Sequence, residues 1–183
     1  MIGPLRAVLH VPELADRWQL LGEALRFDTS LPAHLNELAI LVTARRWNAQ
    51  LEWDIHARAA LSAGLSEDVV EQVRQGLSPS FARDDEREVY DFVRALQLTG
   101  NVPETTYQAI WARWGTAGVV ELSSVVGYYT LVAMTLNVHE IPLPSVASMT
   151  LMPLPPEGAD GSLPLSDLPA PIPRSDHASV TTR

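Results

Sequence analysis

Residues 51–64, LEWDIHARAALSAG, decide the fold class, because this run is rich in alanine and has the periodicity of a helix. At about 100° per residue, Asp54, Arg58 and Ser62 fall on one stripe, which we expect to face water. Arg58 is expected to pair with Asp54 one turn away. The opposite side of the helix is mostly apolar, so it is predicted to pack into a protein core.

Two ionisable residues, Glu52 and His56, lie on this inner side. A carboxylate one turn before a histidine can orient the ring and favour its protonated form, and histidine titrates near neutral pH. A second inward carboxylate, Glu37, precedes the apolar run LAILV on the preceding helix. Buried ionisable groups need compensation, so the three residues form either an acid–base cluster or a structural set of paired polar groups.

Helical periodicity runs through most of residues 1–139, and no alternating strand pattern competes with it. The sequence therefore predicts one all-α domain with about six or seven helices. The helix containing Glu37 should be central, with Ser30 as a candidate N-cap. The main helices are expected at residues 12–27, 33–47, 51–64, 84–98, 103–114 and 117–138, with a short one after Ser66.

From residue 140 onward the composition changes, since nine of the last 44 residues are proline and none is Phe, Trp or Tyr. Such a segment does not continue a helix bundle. Residues 140–183 are expected to form a flexible or extended tail. The alternative is an arm on a neighbouring subunit, anchored by apolar residues such as Leu143, Val146, Met149 and Leu151.

The composition excludes several classes of function. All 13 basic residues are arginine, which excludes a lysine Schiff base, and the net charge of −9 argues against a nucleic-acid partner. The absence of cysteine excludes disulfides, thiolate metal sites and thiol peroxidase chemistry.

Two features bear on location. No secretory signal pattern is visible at the N-terminus, and a cytoplasmic protein is expected. Residues 119–138 have about the length of a membrane span, but they include Glu121 and Asn137 and lack flanking arginines. A buried helix and no membrane are predicted.

A family resemblance rests on residues 31–73, LPAHLNELAILVTARRWNAQLEWDIHARAALSAGLSEDVVEQV. This segment resembles the carboxymuconolactone decarboxylase family, within the alkylhydroperoxidase D-like superfamily. The shared pattern is an inward Glu before an apolar run, Glu-x-x-x-His, alanines, Gly-Leu-Ser and an acidic helix start. Residues 127–144, GYYTLVAMTLNVHEIPLP, look similar to the end of longer family members.

The resemblance implies a compact helical fold that assembles into homo-oligomers, commonly trimers or hexamers. Its peroxidase branch uses Cys-x-x-Cys before the histidine, and this chain has no cysteine. Its decarboxylase branch removes carbon dioxide from 4-carboxymuconolactone without a metal or organic cofactor. The run LPAHLNEL differs from the Lys-Thr-Arg-Glu-Leu run associated with that enzyme.

The candidate catalytic residues are His56, Glu52 and Glu37. Decarboxylation beside a lactone or enone develops negative charge on oxygen, so a protonated His56 would stabilise or protonate the enolate while the two carboxylates hold it. A metal site from the same residues is conceivable by ligand type, but Glu-x-x-x-His is a weak metal signal.

Four further residues are candidates for substrate binding. Arg45 and Arg46 would hold a carboxylate, or would simply end a helix in solvent. Trp53 would wall an apolar pocket or fill the core, and Tyr128 would donate its hydroxyl or pack.

The sequence thus predicts a cofactor-free lyase for a small carboxylated lactone or enol-type substrate. An isomerase, cyclase or hydrolase of the same family in a biosynthetic pathway, and a non-catalytic oligomeric binding protein, stay open.

Overall fold

The computed structural model describes residues 3–151, and every regular element within that range is a helix. The predicted all-α fold is thereby confirmed. A four-residue helix after Pro4 had no signal in the sequence. The helices are α1 (Leu5–Val8), α2 (Pro12–Phe27), α3 (Ala33–Arg46), α4 (Gln50–Ser62), α5 (Glu67–Arg74), α6 (Asp84–Thr99) and α7 (Glu104–Val138).

Helix α3 is central, as predicted, because every residue from 35 to 45 is buried. It packs against α4, α6 and α7. Its N-cap is Pro32, so the predicted cap at Ser30 is wrong. Ser30 instead donates its backbone N–H and its hydroxyl to Oε2 of Glu121 on α7, at 2.9 and 2.5 Å.

Helix α7 consists of two arms that meet at Gly115. This residue has φ of 65° and ψ of −168°, a left-handed conformation that suits glycine and interrupts the helical ladder. The predicted break between residues 103–114 and 117–138 therefore takes the form of a kink. Among the described residues, α7 is the one helix long and apolar enough to cross a membrane, although core helices pass the same test. Leu122 and Val125 on its second arm are fully buried in the core.

The prediction that Asp54 faces water on α4 is wrong. Arg58 and Ser62 are exposed, and Arg58 Nη1 pairs with Asp54 Oδ1 at 2.7 Å as expected. Asp54 itself is only 1% exposed, because the segment after α7 covers it. The backbone N–H groups of Ser148 and Met149 donate to its Oδ1 at 3.1 and 3.0 Å.

Residues 148–151 lie along α4 and α5 of their own chain. The Leu151 N–H donates to Gln50 Oε1 at 2.9 Å, and Arg74 Nη1 donates to the carbonyl of Thr150 at 3.3 Å. Leu151 is buried against the core. The expectation of a free tail or an arm on a neighbour also covers residues 152–183, which lie outside the described residues.

The Asp54 contacts predict how stability depends on acid. Burial alone would raise the pKa of the Asp54 carboxyl, but the hydrogen bonds from Arg58, Met149 and Ser148 outweigh it and lower the pKa. The stabilisation by this carboxylate is present above its unfolded-state pKa and is lost as the pH falls through the lowered folded-state pKa. We expect Asp54→Asn to lower the free energy of unfolding by about 1–3 kcal/mol at pH 7.

Urea unfolding followed by circular dichroism between about pH 7 and pH 3 measures this effect, since aspartate normally titrates near pH 4. Asp54→Asn should lose less stability on acidification than the wild type. Asp16→Asn, at an exposed position of α2, is the matched control. An unchanged acid dependence in Asp54→Asn would contradict the assignment.

Candidate functional site

A cavity of about 430 Å³ lies between α2 on one side and α4 with the second arm of α7 on the other. This volume is within the range of small-molecule binding sites. Its walls are mainly apolar and aromatic, and a few polar side chains face into it. The polar and aromatic residues that matter below are Trp18, Arg26, Glu52, His56, Tyr128 and Tyr129.

His56 is buried on α4 and lines this cavity. Its Nδ1 lies 2.7 Å from Oε2 of Glu37, which α3 brings across from the neighbouring helix. The inward orientation agrees with the helical periodicity. The expected pairing with Glu52 is wrong, because the partner comes from a packed helix and not from the preceding turn.

The protonation of His56 is set by its burial. Desolvation lowers the pKa of the His56 ring, while the hydrogen bond and the charge of Glu37 act in the opposite sense and do not overcome it. This direction is opposite to the protonated ring expected from the sequence. A neutral ring that donates from Nδ1 to a carboxylate leaves Nε2 as a proton acceptor.

Glu52 differs sharply from Glu37, although both are buried glutamates. It is 2% exposed, and neither carboxyl oxygen has a hydrogen-bond partner among the described residues. Burial raises the pKa of the Glu52 carboxyl well above its ordinary value. Burial therefore favours the uncharged form of this carboxyl group, which can donate a proton.

Two tyrosines of α7 complete the inner wall. The Tyr129 ring meets the His56 ring edge to face, with centroids 5.0 Å apart, and Tyr128 packs edge-on against Tyr129 at 5.3 Å. Burial raises the pKa of the Tyr129 hydroxyl, which stays protonated. On α2, Gly22 leaves room for Tyr128, since a Cβ there would overlap the tyrosine hydroxyl. Tyr128 was selected from the sequence, whereas Tyr129 was not.

Arg45 and Arg46 do not lie in this cavity. They line a separate, smaller pocket together with Arg94 of α6, and Arg45 Nη1 donates to Asn48 Oδ1 at 3.3 Å. The reason is distance along α3: Arg45 lies eight residues after Glu37, about 12 Å at the usual helical rise.

Trp53 is also outside the cavity wall. It is completely buried in the core. Because Trp53 directly follows Glu52 on α4, its side chain points to a different side of the helix from the Glu52 side chain, which lines the cavity. The cation that does line the cavity is Arg26 of α2. Sequence reasoning missed it, because α2 was recognised by its apolar spacing alone.

The arrangement suits acid–base chemistry. Within residues 3–151, no group of three or more His, Asp or Glu side chains is arranged to hold a metal ion. Nε2 of His56 can accept a proton, the Glu52 carboxyl can donate one, and the Tyr129 hydroxyl can donate a hydrogen bond.

Comparison with known families finds one match, which covers part of the chain. Residues 12–94 match the model of the Carboxymuconolactone decarboxylase family, a span that includes Glu37, Glu52 and His56 but not the tyrosines of α7. No curated protein and no solved structure matches the chain. Through residues 12–94, this chain is similar to the carboxymuconolactone decarboxylase family, and it contains no cysteine.

Proposed function

We propose that this protein is a cofactor-free lyase of the carboxymuconolactone decarboxylase type, acting on a small carboxylated lactone or enol-type substrate. The observation that carries the proposal is the presence of an uncharged acid, Glu52, and an uncharged base, His56, in one largely apolar cavity. Burial raises the pKa of the acid and lowers the pKa of the base. Pairs of groups whose pKa values are shifted apart by their surroundings are typical of acid–base sites.

In the proposed reaction, the bond between the substrate carbon and its carboxylate breaks and carbon dioxide leaves. The electron pair moves into the conjugated carbonyl and forms an enolate, and one proton then replaces the lost carboxylate. Glu52 supplies that proton, and the Tyr129 hydroxyl donates a hydrogen bond to the enolate oxygen. Glu52 is then an ionised carboxylate and regains its proton from water through His56, which accepts the proton at Nε2 and passes it on, while Glu37 holds the ring in the required tautomer.

One observation favours a second candidate, an isomerase. Because both an acid and a base are ready in the resting cavity, the same groups can move a proton between two carbons without losing carbon dioxide. Release of carbon dioxide from 4-carboxymuconolactone distinguishes the lyase. Exchange of substrate protons with solvent deuterium, without loss of carbon, distinguishes the isomerase.

The first prediction on activity concerns His56. His56→Asn should keep the fold and lower turnover by about 100-fold or more, the usual scale for loss of a general acid or base. Glu37→Gln should also lower turnover, because an amide does not fix the ring as a carboxylate does. His139→Asn, at the exposed end of α7, is the control.

Turnover and melting temperature are measured on the same three variants. A His56→Asn protein that is destabilised but fully active would end the catalytic assignment and support a structural pair. A selective loss of turnover at an unchanged melting temperature supports catalysis.

The second prediction concerns Glu52 and pH. Because burial raises its pKa, the stability associated with the protonated carboxyl is fully present below the unfolded-state pKa. It is lost as the pH rises toward the folded-state value. Glu52→Gln cannot ionise and should therefore gain stability relative to the wild type between about pH 5 and pH 8, with a slope of at most about 1.4 kcal/mol per pH unit.

Urea unfolding at each pH gives the difference in free energy between variant and wild type. Glu23→Gln, at an exposed position of α2, is the matched control. A constant difference for Glu52→Gln would contradict the assignment of an uncharged acid.

We also infer that the protein works as a homo-oligomer, with the trimer or hexamer of the family as the expected forms. The central helix α3 does not support an interface, since it is buried within one chain. The support comes from α2 and α7, which expose large apolar residues, among them Leu20 and Phe27 at 65% and 71% and Val120 and Val138 at 58% and 78%. Such surfaces commonly pack against another protein.

Light scattering should give a mass of three or six times 20.1 kDa. Leu20→Asp should reduce that mass, because a carboxylate in an apolar interface is costly. Ala82→Asp, at an exposed position outside both helices, should leave it unchanged. A wild-type protein that stays monomeric over a wide dilution range would refute the assembly.

A further inference from the structure

We infer that Arg26 binds a carboxylate that the substrate keeps through the reaction. This inference rests on the proposed function and deepens it, because it defines the class of substrate. Arg26 lies in the last turn of α2, is half-buried and lines the cavity. It is the one arginine among the described residues of the cavity wall.

The guanidinium of Arg26 is close enough to act on the reacting groups. Its charge lowers the pKa of His56 in addition to the larger effect of burial. The same charge lowers the pKa of the Tyr129 hydroxyl, against the larger effect of burial there. Its Cζ lies 5.3 Å from the centre of the Phe27 ring, a contact that helps to orient it. No described residue forms an ion pair with it, so its planar set of donors is available to a ligand.

The charge of the cavity explains why the ligand should be an anion. Burial favours the uncharged forms of both His56 and Glu52. Glu37, which is not a lining residue, is hydrogen-bonded to His56, and Glu23, which does line the cavity, is exposed to solvent. A carboxylate bound to Arg26 would therefore add a compensating charge to an otherwise apolar space. Arginine binds carboxylates through two parallel hydrogen bonds, which fixes orientation as well as position.

The chemistry of decarboxylation decides which carboxylate Arg26 holds. The leaving carboxylate loses its negative charge in the transition state. A guanidinium paired with it would therefore stabilise the ground state more than the transition state and would slow the reaction. A lyase substrate should thus carry two carboxylates, one held by Arg26 and one lost near Glu52. The product, or an isomerase substrate, would need one.

The position of Arg26 also defines the binding direction. Arg26 belongs to α2, whereas Glu52 and His56 belong to α4 on the facing wall. A ligand held at Arg26 spans the cavity, so its ring lies among the aromatic side chains. The expected ligand is a ring-sized carboxylate.

Binding of simple carboxylates tests this inference without any turnover. The probes are benzoate and 2-naphthoate, each compared with its neutral amide by ligand-observed NMR titration. The wild type should bind each carboxylate at least about tenfold more tightly than the amide, the scale of one charge-assisted contact. Arg26→Gln should remove this preference, and Arg26→Lys should retain part of it.

Arg17→Gln is the matched control, because Arg17 is an exposed arginine of the same helix that does not line the cavity. It should keep the full preference, and circular dichroism checks the fold of each variant. A preference that survives in Arg26→Gln, or a wild type that binds neither carboxylate better than its amide, would overturn the inference. The binding assay involves no turnover, so a failure of the catalytic proposal, seen as absent release of carbon dioxide, is separately visible.

Discussion

The buried hydrogen bond between Glu37 and His56 is the constraint on which the site depends. It joins α3, the most buried helix, to α4, and it must satisfy two polar groups in an apolar surrounding. Breaking such a pair by removing one partner leaves the other buried without compensation. The same contact fixes which ring nitrogen faces the cavity. Packing and chemistry therefore impose the same geometry on these two residues.

The sequence was informative where local periodicity decides the outcome. Most helix limits, the central position of α3 and the inward direction of Glu52 and His56 follow from the spacing of apolar residues. Prediction from the sequence failed for contacts between residues that are far apart in the chain. Asp54 is buried by backbone groups more than 90 residues away, and His56 pairs across to another helix. Neither contact leaves a local pattern.

Substrate-binding residues were harder to predict for the same reason. Arg45 was chosen because it closes the helix that carries Glu37, but the length of α3 carries it to another pocket. Arg26 reaches the cavity because α2 packs against α7, which is a tertiary event. The choice between arginines depends on packing and not on residue type.

Glu37 and Glu52 show how position sets the chemistry of one residue type. Glu37 has a ring N–H partner, whereas Glu52 has none among the described residues and is held uncharged by burial. All three acid–base residues and Arg26 fall within the span that matches the family, but Tyr128 and Tyr129 come from the second arm of α7, beyond it. The proposed proton-transfer groups thus lie within the matched span, while α7 shapes the space around them. A substitution at Tyr128 would therefore change the cavity wall and leave both partners of the Glu37–His56 hydrogen bond in place.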